Sequence, residues 1–165
     1  YTNKKKIKFT GVEIEKKMYS FAKKNIKRKK IKNIKLFNSD LKKIKFNRSN
    51  YIICYYTMQF VHPSYRQNIF NKIYKSLNWG GAFIIFEKIR GNDARFDNIL
   101  NSLYFDFKEE NNFSSQGILN KSKSLRGVLE PFSDSGNLGF LKRSGFRDIQ
   151  TIFHHLCFKG YLCIK

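Results

Sequence analysis

Residues 51–58 (YIICYYTM) form an almost unbroken apolar and aromatic run. Such a run suits a central parallel strand buried on both faces, since a half-exposed strand would alternate with polar residues. The flanking sequence supplies neighbours for it. Residues 7–13 (IKFTGVE) alternate and are rich in β-formers, which predicts a strand. Ile14, Met18, Phe21, Ala22 and Ile26 then recur at spacings of three and four and predict a helix with one buried stripe. Residues 34–38 (IKLFN) read as a second strand.

Beyond the apolar run, Pro63 and Ser64 open a helix whose inner face is Ile69, Phe70, Ile73 and Leu77. Gly80–Gly81 is the expected stop, because glycine takes the positive φ of a helix terminus. Residues 82–88 (AFIIFEK) predict another buried strand. Residues 94–131 read as a helical insert, in pieces from Arg95 to about Phe107 and from Ser115 to Leu129. A short helix over 137–144 ends at Gly145, and strands over 147–154 and 159–164 close the chain through a tight antiparallel connection. Strands alternating with helices imply an α/β fold with a mostly parallel sheet and one antiparallel last strand. There is no internal repeat and no linker, so residues 1–165 read as a single domain.

The chain has 165 residues and 41% hydrophobic content, enough for one packed core. It carries 33 Lys and Arg against 12 Asp and Glu, a net charge of +21. Such a balance raises nucleic acid or an anionic membrane as partners. The abundant Lys, Ile, Asn, Phe and Tyr are also what an AT-rich coding sequence favours, which argues for a solvated basic surface instead. The densest basic stretch, Lys23 to Lys30 (KKNIKRKK), has no interleaved aromatic platform for stacking bases. Cys54, Cys157 and Cys163 are odd in number and lack CxxC spacing, so they read as reduced, buried thiols of a cytoplasmic protein. No apolar run reaches the roughly 18 residues of a membrane span. No metal-ligand spacing occurs. The chain opens on Tyr1, and a truncated reading frame is the expectation.

Ligands of an open α/β sheet sit outside the carboxyl ends of its strands. Glu13 ends the first strand, where a carboxylate can accept hydrogen bonds from ribose hydroxyls. It could equally be a helix N-terminal carboxylate favoured by the helix dipole. Asp40 follows the second strand in Asn38-Ser39-Asp40-Leu41. It could accept the exocyclic amine of adenine, with Leu41 beside the ring, or serve as an Asx turn or cap. The strand end Tyr55-Tyr56-Thr57-Met58-Gln59-Phe60 would line the site between cofactor and substrate. His62, just beyond, is a candidate base, although a loop histidine is more often merely solvated.

The order and spacing of these features resemble a family. Leu77-Asn78-Trp79-Gly80-Gly81 is similar to the "L-K-P-G-G" turn of class I S-adenosylmethionine-dependent methyltransferases, and Ser144-Gly145-Phe146 to their "A-G-F". The carboxy-S-adenosylmethionine synthase family, which acts in tRNA wobble uridine modification, is a nearer match. Thr57-Met58-Gln59-Phe60 resembles its "T-L-Q-F", Glu87-Lys88 its "S-E-K", and Tyr104 to Lys108 its "H-x-D-F-K". The resemblance implies a Rossmann-like class I methyltransferase fold, S-adenosylmethionine or its carboxy derivative as cofactor, and a homodimer. It also implies cofactor contacts from Glu13, Ile14, Asp40, Leu41 and Tyr55.

Three departures bear on this. The family's first strand and glycine-rich loop have no counterpart and would lie before Tyr1. Tyr55 stands where the family has Asn. The family arginine that pairs with the added carboxylate falls near Ser122, flanked by Lys121 and Lys123, and lysine lacks arginine's two-pronged fork. Plain methyl transfer to an unidentified acceptor is therefore the expected chemistry. Carboxy-S-adenosylmethionine synthesis is its main alternative, and a non-catalytic RNA-binding module or a gene remnant the others.

Overall fold

In the computed structural model, which describes residues 7–165, the chain divides into two compact units at Lys45/Phe46. The first holds strand β1 (Phe9–Glu13), helix α1 (Lys16–Arg28) and strand β2 (Ile34–Asn38). The two strands pair in parallel, with Phe9 opposite Ile34 and Glu13 opposite Asn38. A helical crossover is the usual way to join such a pair, and α1 is that crossover. Glu15 caps the helix by accepting the Met18 N–H.

The apolar stripe of α1, expected to be buried, is largely exposed. Ile14, Met18 and Phe21 keep 66%, 58% and 63% of their surface. Two five-residue strands form a sheet too narrow to cover a helix of nearly four turns.

The second unit holds β3 (Ser49–Tyr55), α2 (Pro63–Ser76), β4 (Leu77–Arg90), α3 (Ala94–Glu110), α4 (Ser115–Ser124), β5 (Phe132–Ser133), α5 (Asp134–Ser144), β6 (Asp148–His155) and β7 (Phe158–Ile164). Its sheet runs β3-β4-β7-β6, and β5 pairs with the far end of β4. β3 and β5 are parallel to β4, whereas β7 is antiparallel to both β4 and β6. The two-residue strand β5 is too short to leave a periodic signal.

The core lies on one face of this sheet. Cys54, Phe83, Ile85, Tyr161 and Cys163 are buried there. α2 and α5 cover them through Ile69, Phe70, Ile73, Phe140 and Leu141. Phe83 stacks on Phe146 at 5.8 Å and meets Phe70 edge-on at 6.1 Å. The opposite face of β3 corrects the expectation of burial on both sides. Tyr51, Ile53 and Tyr55 are 74%, 62% and 66% exposed, because the covering helices lie on the other face and β3 is the sheet's edge strand.

Helix α2 stops at Ser76, well before Gly80, which is a second correction. Leu77 takes an extended backbone and buries its side chain completely, so the strand begins there and runs through both glycines. At Gly145 the expectation holds. Its φ is +116°, it caps α5, and an added Cβ would lie 2.7 Å from the Tyr74 ring. Only glycine satisfies both conditions.

Candidate functional site

Glu13 and Asp40 lie at the same, carboxyl, end of the parallel pair β1-β2. β1 finishes on Glu13, β2 finishes opposite it on Asn38, and Asp40 follows just beyond. Asn38 ties the two strand ends together. Its amide donates to the carbonyls of Glu13 (2.8 Å) and Ile14 (3.0 Å), while the Ser39 N–H also bonds the Glu13 carbonyl.

One Glu13 oxygen accepts the Glu15 N–H at 2.8 Å. Asp40 accepts the Lys42 N–H at 2.9 Å and pairs with the Lys42 ammonium at 3.2 Å. Its slight burial would raise its pKa, but the Lys42 amide and ammonium outweigh that and hold the carboxyl below its usual range. Both carboxylates thus perform the local tasks that helix starts and turns ask of them. A carboxylate has about four lone-pair sites, so each retains acceptor capacity. An exposed ion pair such as Asp40–Lys42 opens easily.

Tyr55 belongs to the other unit, at the carboxyl end of β3. Its ring meets Tyr56 edge-on at 4.5 Å and Phe86 at 5.5 Å. Tyr56 has φ +51°, a left-handed backbone that is unusual for a bulky residue and concentrates at functional turns. Its N–H bonds the Phe86 carbonyl at 2.8 Å, which holds the strained turn against the neighbouring strand.

Below this strand tip lies a polar knot. Glu87 is 2% exposed and accepts the Met58 N–H at 2.9 Å. Gln59 accepts the Lys88 N–H at 2.6 Å. Arg66, also buried, donates to the carbonyls of Val61 (2.7 Å) and Gln59 (3.3 Å) and lies over the Phe132 ring at 4.7 Å. Burial pushes the Glu87 carboxyl up to about 7, against the lowering pull of the backbone N–H groups and of Arg66. The knot pins the turn over residues 57–61 to β4, and so fixes where the Tyr55–Tyr56 tip sits. Sequence reading assigned Glu87 no role. An ionisable residue inside an apolar strand was the available signal.

Beyond the end of β4 is a cavity of about 400 Å³, lined by Lys88, Arg90, Asp97, Asn101, Glu130 and Phe132 among others. Asp97 accepts the Gly91 N–H at 2.9 Å and the Asn101 amide at 3.1 Å, and Lys88 donates to Asn101 at 3.2 Å. His62, a candidate base, is instead the N-cap of α2. Its Nδ1 lies 2.8 Å from the Ser64 hydroxyl and accepts the Ser64 N–H. Lys121, Ser122 and Lys123 lie on exposed surface of α4.

The three cysteines are free and buried, as read from sequence, and burial raises all three thiols. Among the described residues no group of three or more His, Cys, Asp and Glu could hold a metal ion, and no helix is long and apolar enough to cross a membrane.

This arrangement is that of a class I S-adenosylmethionine-dependent methyltransferase fold, and solved structures agree. Human N-acetylserotonin methyltransferase in complex with S-adenosylmethionine superposes with a TM-score of 0.60 at 16% identity, over 96% of this chain and 40% of that one. An O-methyltransferase family 2 protein from Planctomyces limnophilus superposes at 0.64 and 13% identity, over 95% of this chain and 41% of that one. A methyltransferase domain family matches residues 1–81.

Sequence relatives narrow the assignment. Carboxy-S-adenosyl-L-methionine synthase of Campylobacter jejuni is 35% identical over 162 residues, covering 98% of this chain and 68% of the relative. That of Staphylococcus epidermidis is 38% identical over 133 residues, covering 81% of this chain and 58% of the relative. The chain belongs to the carboxy-S-adenosyl-L-methionine synthase family. It spans between just over half and about two-thirds of the length of these relatives.

Proposed function

We propose that the protein is an S-adenosylmethionine-dependent transferase that forms carboxy-S-adenosylmethionine, with prephenate as the carboxyl source that the family implies. The observation that carries the reading is the register of β1 and β2, which sets two carboxylates at the same end of neighbouring parallel strands. Glu13 accepts from the ribose hydroxyls, Asp40 accepts from the adenine amine, and the Ile14 and Leu41 backbones flank the nucleoside. Tyr55, at the tip of β3, is a further cofactor contact that the family resemblance implies. The cofactor, when bound, supplies an activated carbon on its sulfonium, and the protein's contribution is to bind and orient it.

Residues 1–165 form one domain in this reading. Its support is that the methyltransferase match runs across the boundary between the two units. A homodimer in the cytoplasm completes the proposal, the latter supported by three unpaired buried thiols.

A second reading, methyl transfer to a separate acceptor, is favoured by one observation. The family's carboxylate-pairing arginine falls near Ser122, where the flanking Lys121 and Lys123 offer point charges and not a two-pronged fork. Incubating the purified protein with S-adenosylmethionine and prephenate, then taking the mass of the bound nucleoside, separates the two. An extra carboxylate on the sulfonium methyl carbon supports synthesis. Unmodified S-adenosylmethionine supports methyl transfer, and no retained nucleoside at all overturns both.

A further inference from the structure

The positive charge is not spread evenly along the chain. Residues 1–45 hold 17 of the 33 Lys and Arg but only 3 of the 12 Asp and Glu, a net +14. The remaining 120 residues carry +7 of the total +21. A base-composition bias acting on every codon would raise lysine in both units alike. It does not account for a charge density several-fold higher in the first.

The structure gathers this excess on one surface. Lys16, Lys17, Lys23, Lys24, Lys27 and Arg28 are the cations of α1, and all are exposed. At 3.6 residues per turn they fall within an arc of about 140°, opposite the arc that carries Ile14, Met18 and Ala22. Lys29, Lys30 and Lys32 follow directly after the helix end and are also exposed. None of the nine is within ion-pair distance of a carboxylate, since the salt bridges among the described residues are Lys42–Asp40 and Lys159–Asp134. The helix rises about 20 Å along this face. Lys17 feels the Glu15 carboxylate, and Lys27 and Arg28 suit the helix C-terminus, but six cations against the one carboxylate at the helix start leave a net positive face that matches a polyanion.

We infer that the cationic face of α1 and the turn after it is a docking surface for the phosphate backbone of a nucleic acid. The inference stands on the first unit alone and does not depend on the proposed reaction. Two rings of α1 flank the face, Tyr19, with the Lys23 ammonium 5.8 Å from its centroid, and the exposed Phe21 at the other edge. Recognition is therefore of phosphates by the lysine and arginine charges, with no ring set among them as a platform for stacking bases and no sequence preference.

The test is fluorescence anisotropy of the intact protein with a labelled RNA hairpin and a labelled DNA duplex, titrated from about 50 to about 200 mM KCl. Engagement of about five phosphates gives a log–log salt slope near −4 to −5, a loss of several hundred-fold in affinity across that range. The quadruple variant K23Q/K24Q/K27Q/R28Q keeps good helix formers and should flatten the slope by about 4. R95Q/R126Q/K142Q/R147Q, which removes as many exposed charges from the second unit, should bind as the unaltered protein does. A flat salt dependence in the unaltered protein overturns the inference without any variant. Binding to phosphatidylserine vesicles but to neither nucleic acid also overturns it, assigning the face to a membrane surface. Equal losses in the two quadruple variants would overturn it too, because they would mean diffuse attraction without a docking face.

Discussion

Replacing Glu87 with glutamine (Glu87→Gln) tests whether the buried knot under the strand tip holds an ionisable group. Glu87 is almost fully enclosed, and its carboxyl is raised from an ordinary value of 4.5 to about 7. The folded protein therefore holds this proton more tightly than the unfolded chain. Its contribution to stability is complete below about pH 4.5 and is lost as pH rises through 7. A shift of this size corresponds to a loss on the order of 3 kcal/mol across that window. The carboxyls held low, Asp40 and Asp134 among them, act in the opposite sense and only at more acid pH, so they leave the interval from about pH 5 to 8 to Glu87.

The E87Q side chain keeps an oxygen for the Met58 N–H but carries no charge at any pH. The stability of this variant relative to the unaltered protein should rise between about pH 5 and pH 8, by about 3 kcal/mol. All three cysteines are buried in the second unit, so thiol labelling in urea reports unfolding of that unit alone. Stability curves for the two proteins that stay parallel over this interval would refute the reasoning, because they would mean that Glu87 ionises in the fold at no cost.

Gly145→Ala forces an L side chain to a φ of +116° and into the Tyr74 ring, and should lower stability by about 1–3 kcal/mol as read from thermal unfolding. Phe70→Ala removes a fully buried ring packed between Phe83 and Phe140 and should cost about 3–5 kcal/mol by urea unfolding. Glu13→Ala and Asp40→Ala should each weaken S-adenosylhomocysteine binding about tenfold by calorimetry, the value of one charge-assisted hydrogen bond, with little change in melting temperature. Tyr161→Phe deletes the 2.6 Å bond from a buried hydroxyl to Asp134 and should cost about 1 kcal/mol by urea unfolding, without disturbing the Lys159–Asp134 pair.

Local chemistry made much of this protein legible in one dimension. The alternation of apolar runs with amphipathic stretches announced every α-helix and every strand of more than two residues, although β4 begins at Leu77 and not at residue 82, and α4 ends at Ser124 and not at Leu129. Gly145 marked its helix end because the demand for positive φ acts on a single residue. The carboxylates at 13 and 40 could be placed at strand ends for the same reason, since strand direction follows once a helix crossover joins two strands. Burial was another matter. The α1 stripe and the β3 run have the composition of core segments, yet Met18, Phe21, Tyr51, Ile53 and Tyr55 are exposed. Burial depends on what covers a face, and that is decided by sheet width and by the side on which α2 and α5 pack. Tertiary structure alone brought Glu87, Gln59 and Arg66 into one knot, by laying β4 back against the turn after β3 so that Met58 meets Glu87 from 29 positions away. It alone left the nine cations of α1 and the turn after it outside ion-pair distance of any carboxylate, because pairing of charges is a property of distance in space and not of order along the chain.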